Sequence, residues 1–97
     1  MGNLTWDELI DEALGSRGRI RILRVLARKG QVNMSRLARE SGLSYESTKS
    51  HVDRLRELGL VDVRRVGRVV LIRISDHPLS VMLRDVLLGP GRVREDP

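Results

Sequence analysis

The stretch that most constrains this chain is residues 44–61, SYESTKSHVDRLRELGLV, where a helical repeat stops at a glycine and a two-residue repeat begins. At about 100° per residue, Tyr45, Thr48, Val52 and Leu55 fall on one narrow face. Ser47, Ser50 and Arg54 project from the other side, with Glu46 and Lys49 flanking them. Such a helix hides one face and presents short polar side chains with cations on the other. Beyond Gly59 the pattern LVDVRR, VG, RVVLIRI alternates with period two, which predicts a β-hairpin. A two-residue loop at Val66 and Gly67, or at Gly67 and Arg68, puts Val61 and Val63 on one face with Val70, Ile72 and Ile74. Arg64, Arg65 and Arg68 then gather at a tip with too little apolar surface to be anchored by packing.

The residues upstream supply what such a helix needs behind it. Thr5 is the expected N-cap of a first helix with Asp7 and Glu8 in its first turn, ended by Gly15. Its apolar stripe is Trp6, Leu9, Ile10, Ala13 and Leu14. Ser16 caps and Gly30 stops a second helix, whose Ile20, Ile22, Leu23, Val25, Leu26 and Ala27 cover more than half its circumference, so it must touch elements on two sides. The remaining arc carries Arg17, Arg21, Arg24 and Arg28, a stripe suited either to phosphate or to plain solvation. Gln31 to Asn33 has room for a strand stub, and Asn33 caps a short helix, MSRLARES, that buries Met34, Leu37 and Ala38 and ends at Gly42. Leu43 and the N-cap Ser44 lead into the helix described first. Two short helices joined by a tight glycine-containing turn make a helix-turn-helix unit over 33–58, followed by a hairpin over 60–74. Near the C-terminus SDHPLSVMLRDVLLG predicts a last helix with Pro78 in its first turn and Gly89 beyond its end.

Charge is strongly segregated. Residues 1–15 carry four acids and no base, residues 16–74 carry fifteen bases against five acids, and the remainder carries three bases against four acids, within a net charge of +5. A basic body of this kind suits a polyanionic partner, although a thermophilic, arginine-rich composition gives some of the same bias. The absence of cysteine removes disulfides and thiolate metal sites. With Trp6 and Tyr45 as the sole aromatics, the core is aliphatic, and the stacking platforms used for single-stranded RNA are missing.

The order of helices, recognition-type helix, hairpin and last helix resembles the winged helix-turn-helix transcription regulators of the ArsR and MarR type. The phrases LGSRGRIRILRVLARKG, MSRLARESGLS and STKSHVDRLRELGLV carry the resemblance, over about residues 14–75. It implies a mainly α fold with a small β-hairpin wing and about five helices. Ser44, Glu46, Ser47, Lys49, Ser50 and Arg54 would then face the DNA major groove, Arg64, Arg65 and Arg68 would form the wing contact, and Arg36 and Arg39 would lie near the backbone. Regulators of the ArsR type that sense metals use cysteines, or carboxylates and histidines on the last helix. This chain offers only His51 and His77, the latter with Asp76 and Asp85 nearby in sequence, so no metal and no cofactor is expected.

The expectations are therefore a single winged-helix domain over 1–91 with a loose tail at 92–97, and a homodimer built on the terminal helices 5–14 and 77–88. The residues expected at that interface are Trp6, Leu9, Ile10, Leu14, Leu79, Met82, Leu83, Val86 and Leu87. Internal capping by the same helices is the alternative. His51, at the edge of the buried face, is expected to support the fold or touch a phosphate. No glycine-rich phosphate loop, nucleophile elbow or convergent carboxylate pair is present, so the chain does not read as an enzyme. With neither a signal-peptide pattern nor a window of transmembrane length, a cytoplasmic, nucleoid-associated protein is expected. Sequence-specific binding of double-stranded DNA is the leading reading. Its rivals are a winged helix used as a protein-interaction subunit and a non-specific architectural chromatin protein, and no effector molecule is specified.

Overall fold

The computed structural model describes residues 3–90. In chain order the elements are α1 (Trp6–Leu14), α2 (Arg17–Lys29), β1 (Gln31–Asn33), α3 (Met34–Ser41), α4 (Tyr45–Glu57), β2 (Val61–Val66), β3 (Val69–Ile74) and α5 (Pro78–Leu88). This is the winged helix-turn-helix architecture, five helices with a small three-stranded antiparallel sheet. The tail expected at 92–97, and residue 91, lie outside the described residues.

Local chemistry fixes the helix starts. Thr5, Ser16, Asn33 and Ser44 each accept a hydrogen bond from the backbone N–H three residues on, satisfying a donor that the first turn cannot. At α1 the bond is reciprocal, because Glu8 Oε1 also accepts from Thr5 N–H at 2.8 Å. The fifth cap is His77, whose Nδ1 accepts from Leu79 N–H at 3.1 Å just ahead of Pro78.

The stub at 31–33 becomes a true strand. Val32 pairs with Ile72, so the sheet runs β1-β3-β2 with the hairpin partner in the middle. In the hairpin Val61 faces Ile74 and Val63 faces Ile72, and the pairing of Val66 with Val69 leaves Gly67 and Arg68 as the loop. Gly67 takes φ 61°, which a glycine adopts without penalty.

Helix α2 is the centre of the molecule, packing against α1, α3, α4, α5 and two strands. Its Ile22, Leu23 and Leu26 meet Leu37, Val52, Leu55, Leu60 and Ile72, all fully buried. Each such aliphatic side chain contributes about 1.5–3 kcal/mol relative to exposure, which is how a nearly aromatic-free core holds.

The terminal helices turn part of each stripe inward and leave part of it exposed. Leu9, Leu79 and Leu83 are buried in the subunit's own core, and Ile10, Leu14 and Leu87 pack at its edge. Leu9, Leu79 and Leu83, expected at a dimer surface, are thus covered by the subunit itself, because a stripe gives direction but not depth and α5 lies along α2. Trp6, Met82 and Val86 remain exposed, at 45%, 54% and 72%. A buried clasp fixes the entry to α5. Ser75 Oγ donates to the Gly59 carbonyl at 2.7 Å, Ser80 Oγ donates to the Leu60 carbonyl at 2.8 Å, and the two hydroxyls lie 3.0 Å apart. The start of the wing and the start of α5 are thereby held together.

Candidate nucleic-acid interface

Helix α4 is anchored through Thr48, Val52 and Leu55, all fully buried, with Thr48 Oγ1 donating to the Ser44 carbonyl at 2.8 Å. The turn that aims it passes through Gly42 at φ 71°, ψ 29°, and the Gly42 N–H donates to the Ala38 and Arg39 carbonyls. A left-handed residue is required there, and glycine supplies it. Tyr45, expected on the buried face, is exposed instead, because the first residue of α4 lies beyond the edge of the surface that the helix packs on.

Glu46, Ser47, Lys49 and Ser50 are all exposed, as their positions on the helix require. Ser44 is exposed too, and although its Oγ accepts from Ser47 N–H at 3.0 Å, its proton and a second lone pair remain for another partner. Lys49 Nζ lies 3.1 Å from Asp53 Oδ2. Arg54 is half-buried and engaged twice, donating from Nε to Glu12 Oε1 at 3.0 Å and from Nη1 to Glu57 Oε1 at 3.2 Å. The outward strip of Glu46, Lys49, Ser50, Asp53, Arg54 and Glu57 thus sets three carboxylates against two cations.

Glu12 extends this cluster to α2. Arg19 Nη1 donates to the Glu12 carbonyl at 2.6 Å and to Oε1 at 3.1 Å, while Arg19 Nε donates to His51 Nδ1 at 3.3 Å. The bond from Arg54, followed by its charge and that of Arg19, holds the Glu12 carboxyl below the usual carboxylate range. Glu12 first, then Glu57, hold the Arg54 guanidinium more firmly protonated. Burial, and then the neighbouring Arg19 charge, push His51 below the ordinary imidazole range. A neutral ring is what an acceptor Nδ1 requires. His51 also lies against Gly18, where an added Cβ would sit 2.7 Å from its Nε2, so a side chain at position 18 would require the His51 ring to move. None of these partners was expected from sequence. Glu12 and Arg54 are 42 residues apart and occupy polar positions indistinguishable from solvated ones.

On the wing Arg64, Arg65 and Arg68 are solvated, as expected of a tip. They do not share one face: Arg65 lies opposite Val70 on the inner side, Arg64 opposite Leu71 on the outer side, and Arg68 in the loop. On α3, Arg36 Nε is taken up by Glu40 Oε2 at 2.6 Å, whereas Arg39 forms no ion pair among the described residues. Among the described residues no group of three or more His, Cys, Asp or Glu could hold a metal ion. His77 uses its Nδ1 as a helix cap.

A glycine-aimed helix with a solvated polar face, followed at once by a cationic hairpin, defines the winged helix-turn-helix class. Residues 19–62 match the family described as winged helix-turn-helix DNA-binding. The architecture is that of a winged helix-turn-helix protein, and the matched segment runs from within α2 through α4 into the first strand of the wing. The fold is similar to that of HlyU from Vibrio cholerae, with a TM-score of 0.71 and 24% identity, over 82% of this chain and 85% of HlyU. It is also similar to the AntR antimony-specific transcriptional repressor, with a TM-score of 0.69 and 25% identity over 86% of this chain and 79% of AntR. The transcriptional repressor PagR of Bacillus anthracis keeps a TM-score of 0.68 at 15% identity, over 80% of this chain and 87% of PagR. No curated protein matches the chain in sequence. No helix among the described residues is long and apolar enough to cross a membrane.

Proposed function

We propose that this protein is a transcription regulator that binds specific sites on double-stranded DNA as a homodimer. In this reading α4 enters the major groove, where Ser47, Lys49 and Ser50 reach base edges with Glu46 at the flank and Ser44 at the mouth. Arg64, Arg65 and Arg68 of the wing contact backbone on either side of the hairpin, and Arg36 and Arg39 lie along the flanking phosphates. The observation that carries the reading is the solvated polar face of α4, held rigid by Thr48, Val52 and Leu55 and directly followed by an arginine-tipped hairpin. Arg54 contributes only after exchanging Glu12 or Glu57 for DNA. Binding should weaken steeply with added salt, and affinity indifferent to salt would overturn the proposal.

The exposed Trp6, Met82 and Val86 support the dimer, since a two-fold pair of recognition helices matches two half-sites. Met82→Asp with Val86→Asp should yield monomers in sedimentation and weaken DNA binding, and an unchanged sedimentation coefficient would exclude these helices from the interface. A second reading, a winged helix used for protein contact, draws on the three carboxylates of the α4 strip. Stoichiometric capture of a protein partner, without DNA affinity at low salt, would favour it.

A further inference from the structure

The arginine stripe of α2 is not simply a solvated face. Arg21, Arg24 and Arg28 line one wall of a cleft whose other wall is the end of α3, with Arg39, Glu40 and Ser41. Arg17, the fourth member of the stripe, is not part of it. None of the four cleft arginines forms an ion pair among the described residues. The single carboxylate, Glu40, is already bound by Arg36 at 2.6 Å. Convergence from two helices is the first departure from an ordinary charged surface, because four guanidiniums facing one space repel one another unless an anion joins them. The second is Ser41. It is 3% exposed, it forms part of the cleft, and among the described residues its Oγ is the buried side-chain polar atom without a hydrogen-bond partner. A buried hydroxyl left unpaired is unfavourable, and such atoms mark sites completed by something else.

We propose that this cleft is an oxyanion site for a phosphate-class group, with Arg21, Arg24, Arg28 and Arg39 around it and the Ser41 hydroxyl donating to one oxygen. The planar guanidinium fork suits phosphate oxygens, and Val25 is the only large apolar side chain in the lining, which disfavours an apolar effector. The cleft also adjoins the turn into α4: a Cβ on Gly42 would lie 3.7 Å from Arg21 Nη1. Two sources carry this chemistry, a phosphate of the DNA backbone and a free phosphorylated or inorganic anion. The first rests on the DNA-binding reading given above, and the second does not.

Two arms test the site. In the first, pyrophosphate is titrated at constant ionic strength while amide resonances and thermal midpoint are followed. In the second, duplex affinity is measured across a salt series. Ser41→Ala, Arg21→Gln and Arg39→Gln are compared with Arg17→Gln, which makes the same charge change on α2 outside the cleft. Ser41→Ala removes an unpaired hydroxyl, so its unliganded midpoint should be equal or higher. A saturable pyrophosphate response at Ser41 and Gly42 that Ser41→Ala abolishes and Arg17→Gln keeps supports a free-anion site. A duplex response in which each cleft arginine lowers the salt slope by about 0.9, Ser41→Ala loses several-fold affinity and Arg17→Gln changes neither supports a backbone-phosphate site. If Arg17→Gln equals the cleft variants and Ser41→Ala is silent in both arms, the proposal is overturned. A protein that binds no duplex at low salt fails the DNA reading alone, and the pyrophosphate arm then decides whether the cleft is an oxyanion site.

Discussion

Helices α2 and α4 are both 13 residues long, and both are anchored by fully buried aliphatic side chains, yet their charges are unlike. Six bases and no acid lie on α2, whereas α4 carries three of each. In the proposed function α4 is the reader, so the helix nearest the bases brings no net attraction to DNA. The positive charge sits on α2, at the end of α3 and on the wing. That division has physical sense. Attraction to phosphate is independent of sequence, whereas discrimination needs short polar groups whose hydrogen bonds are satisfied only by the right base edges. A reading face balanced by Asp53, Glu57 and Glu12 gains little from any wrong duplex.

The comparison can be broken first at its common ground. Leu26→Ala in α2 and Leu55→Ala in α4 should each cost about 2–5 kcal/mol in denaturant unfolding, because both side chains are fully buried. A much smaller loss at either site would mean that the two helices are not equally anchored. At the reading face, Lys49→Ala and Ser50→Ala should reduce the preference for a selected site over random duplex by about 1–3 kcal/mol for a well-made base contact. Equal losses on both duplexes would remove α4 from sequence discrimination. The wing arginines should behave in the opposite way. Replacing Arg64, Arg65 or Arg68 with Gln should weaken binding to every duplex alike and lower the salt slope by about 0.9 for each phosphate no longer neutralised.

The smallest effect concerns the joint between the two helices. His51 is held below its ordinary pKa in the folded protein, so the unfolded chain binds the extra proton first. Stability from this group is therefore present above the ordinary imidazole range and is lost as pH falls through it toward the lower folded value. In His51→Gln the pH dependence of the thermal midpoint should flatten across that window, and an unchanged slope would remove His51 from the linkage.

How far these features were legible depended on the range of the interaction. The caps at Thr5, Ser16, Asn33 and Ser44 and the helix stop at Gly42 follow from neighbours within a few residues, and sequence predicts each of them, while it narrows the hairpin loop to two registers of which Gly67–Arg68 is the one formed. The depth of a stripe does not follow. Leu9 and Trp6 share one periodic face of α1, but only Leu9 is buried, because α2 reaches no further. Nor does partner choice. Arg54 looks like a free groove cation until α1 brings Glu12 to 3.0 Å, and the Arg21–Arg39 cleft exists only because two helices meet. Sequence thus locates α4 and the hairpin but not the partners that hold the cations on and around them.

The most direct test of the central claim is selection of bound fragments from genomic DNA with the purified protein, followed by sequencing. A reader helix with its attraction placed elsewhere, paired across a two-fold axis, predicts one enriched motif made of inverted half-sites about one helical turn apart. Fragments recovered without a common motif would contradict that account, leaving a protein that holds DNA by charge alone.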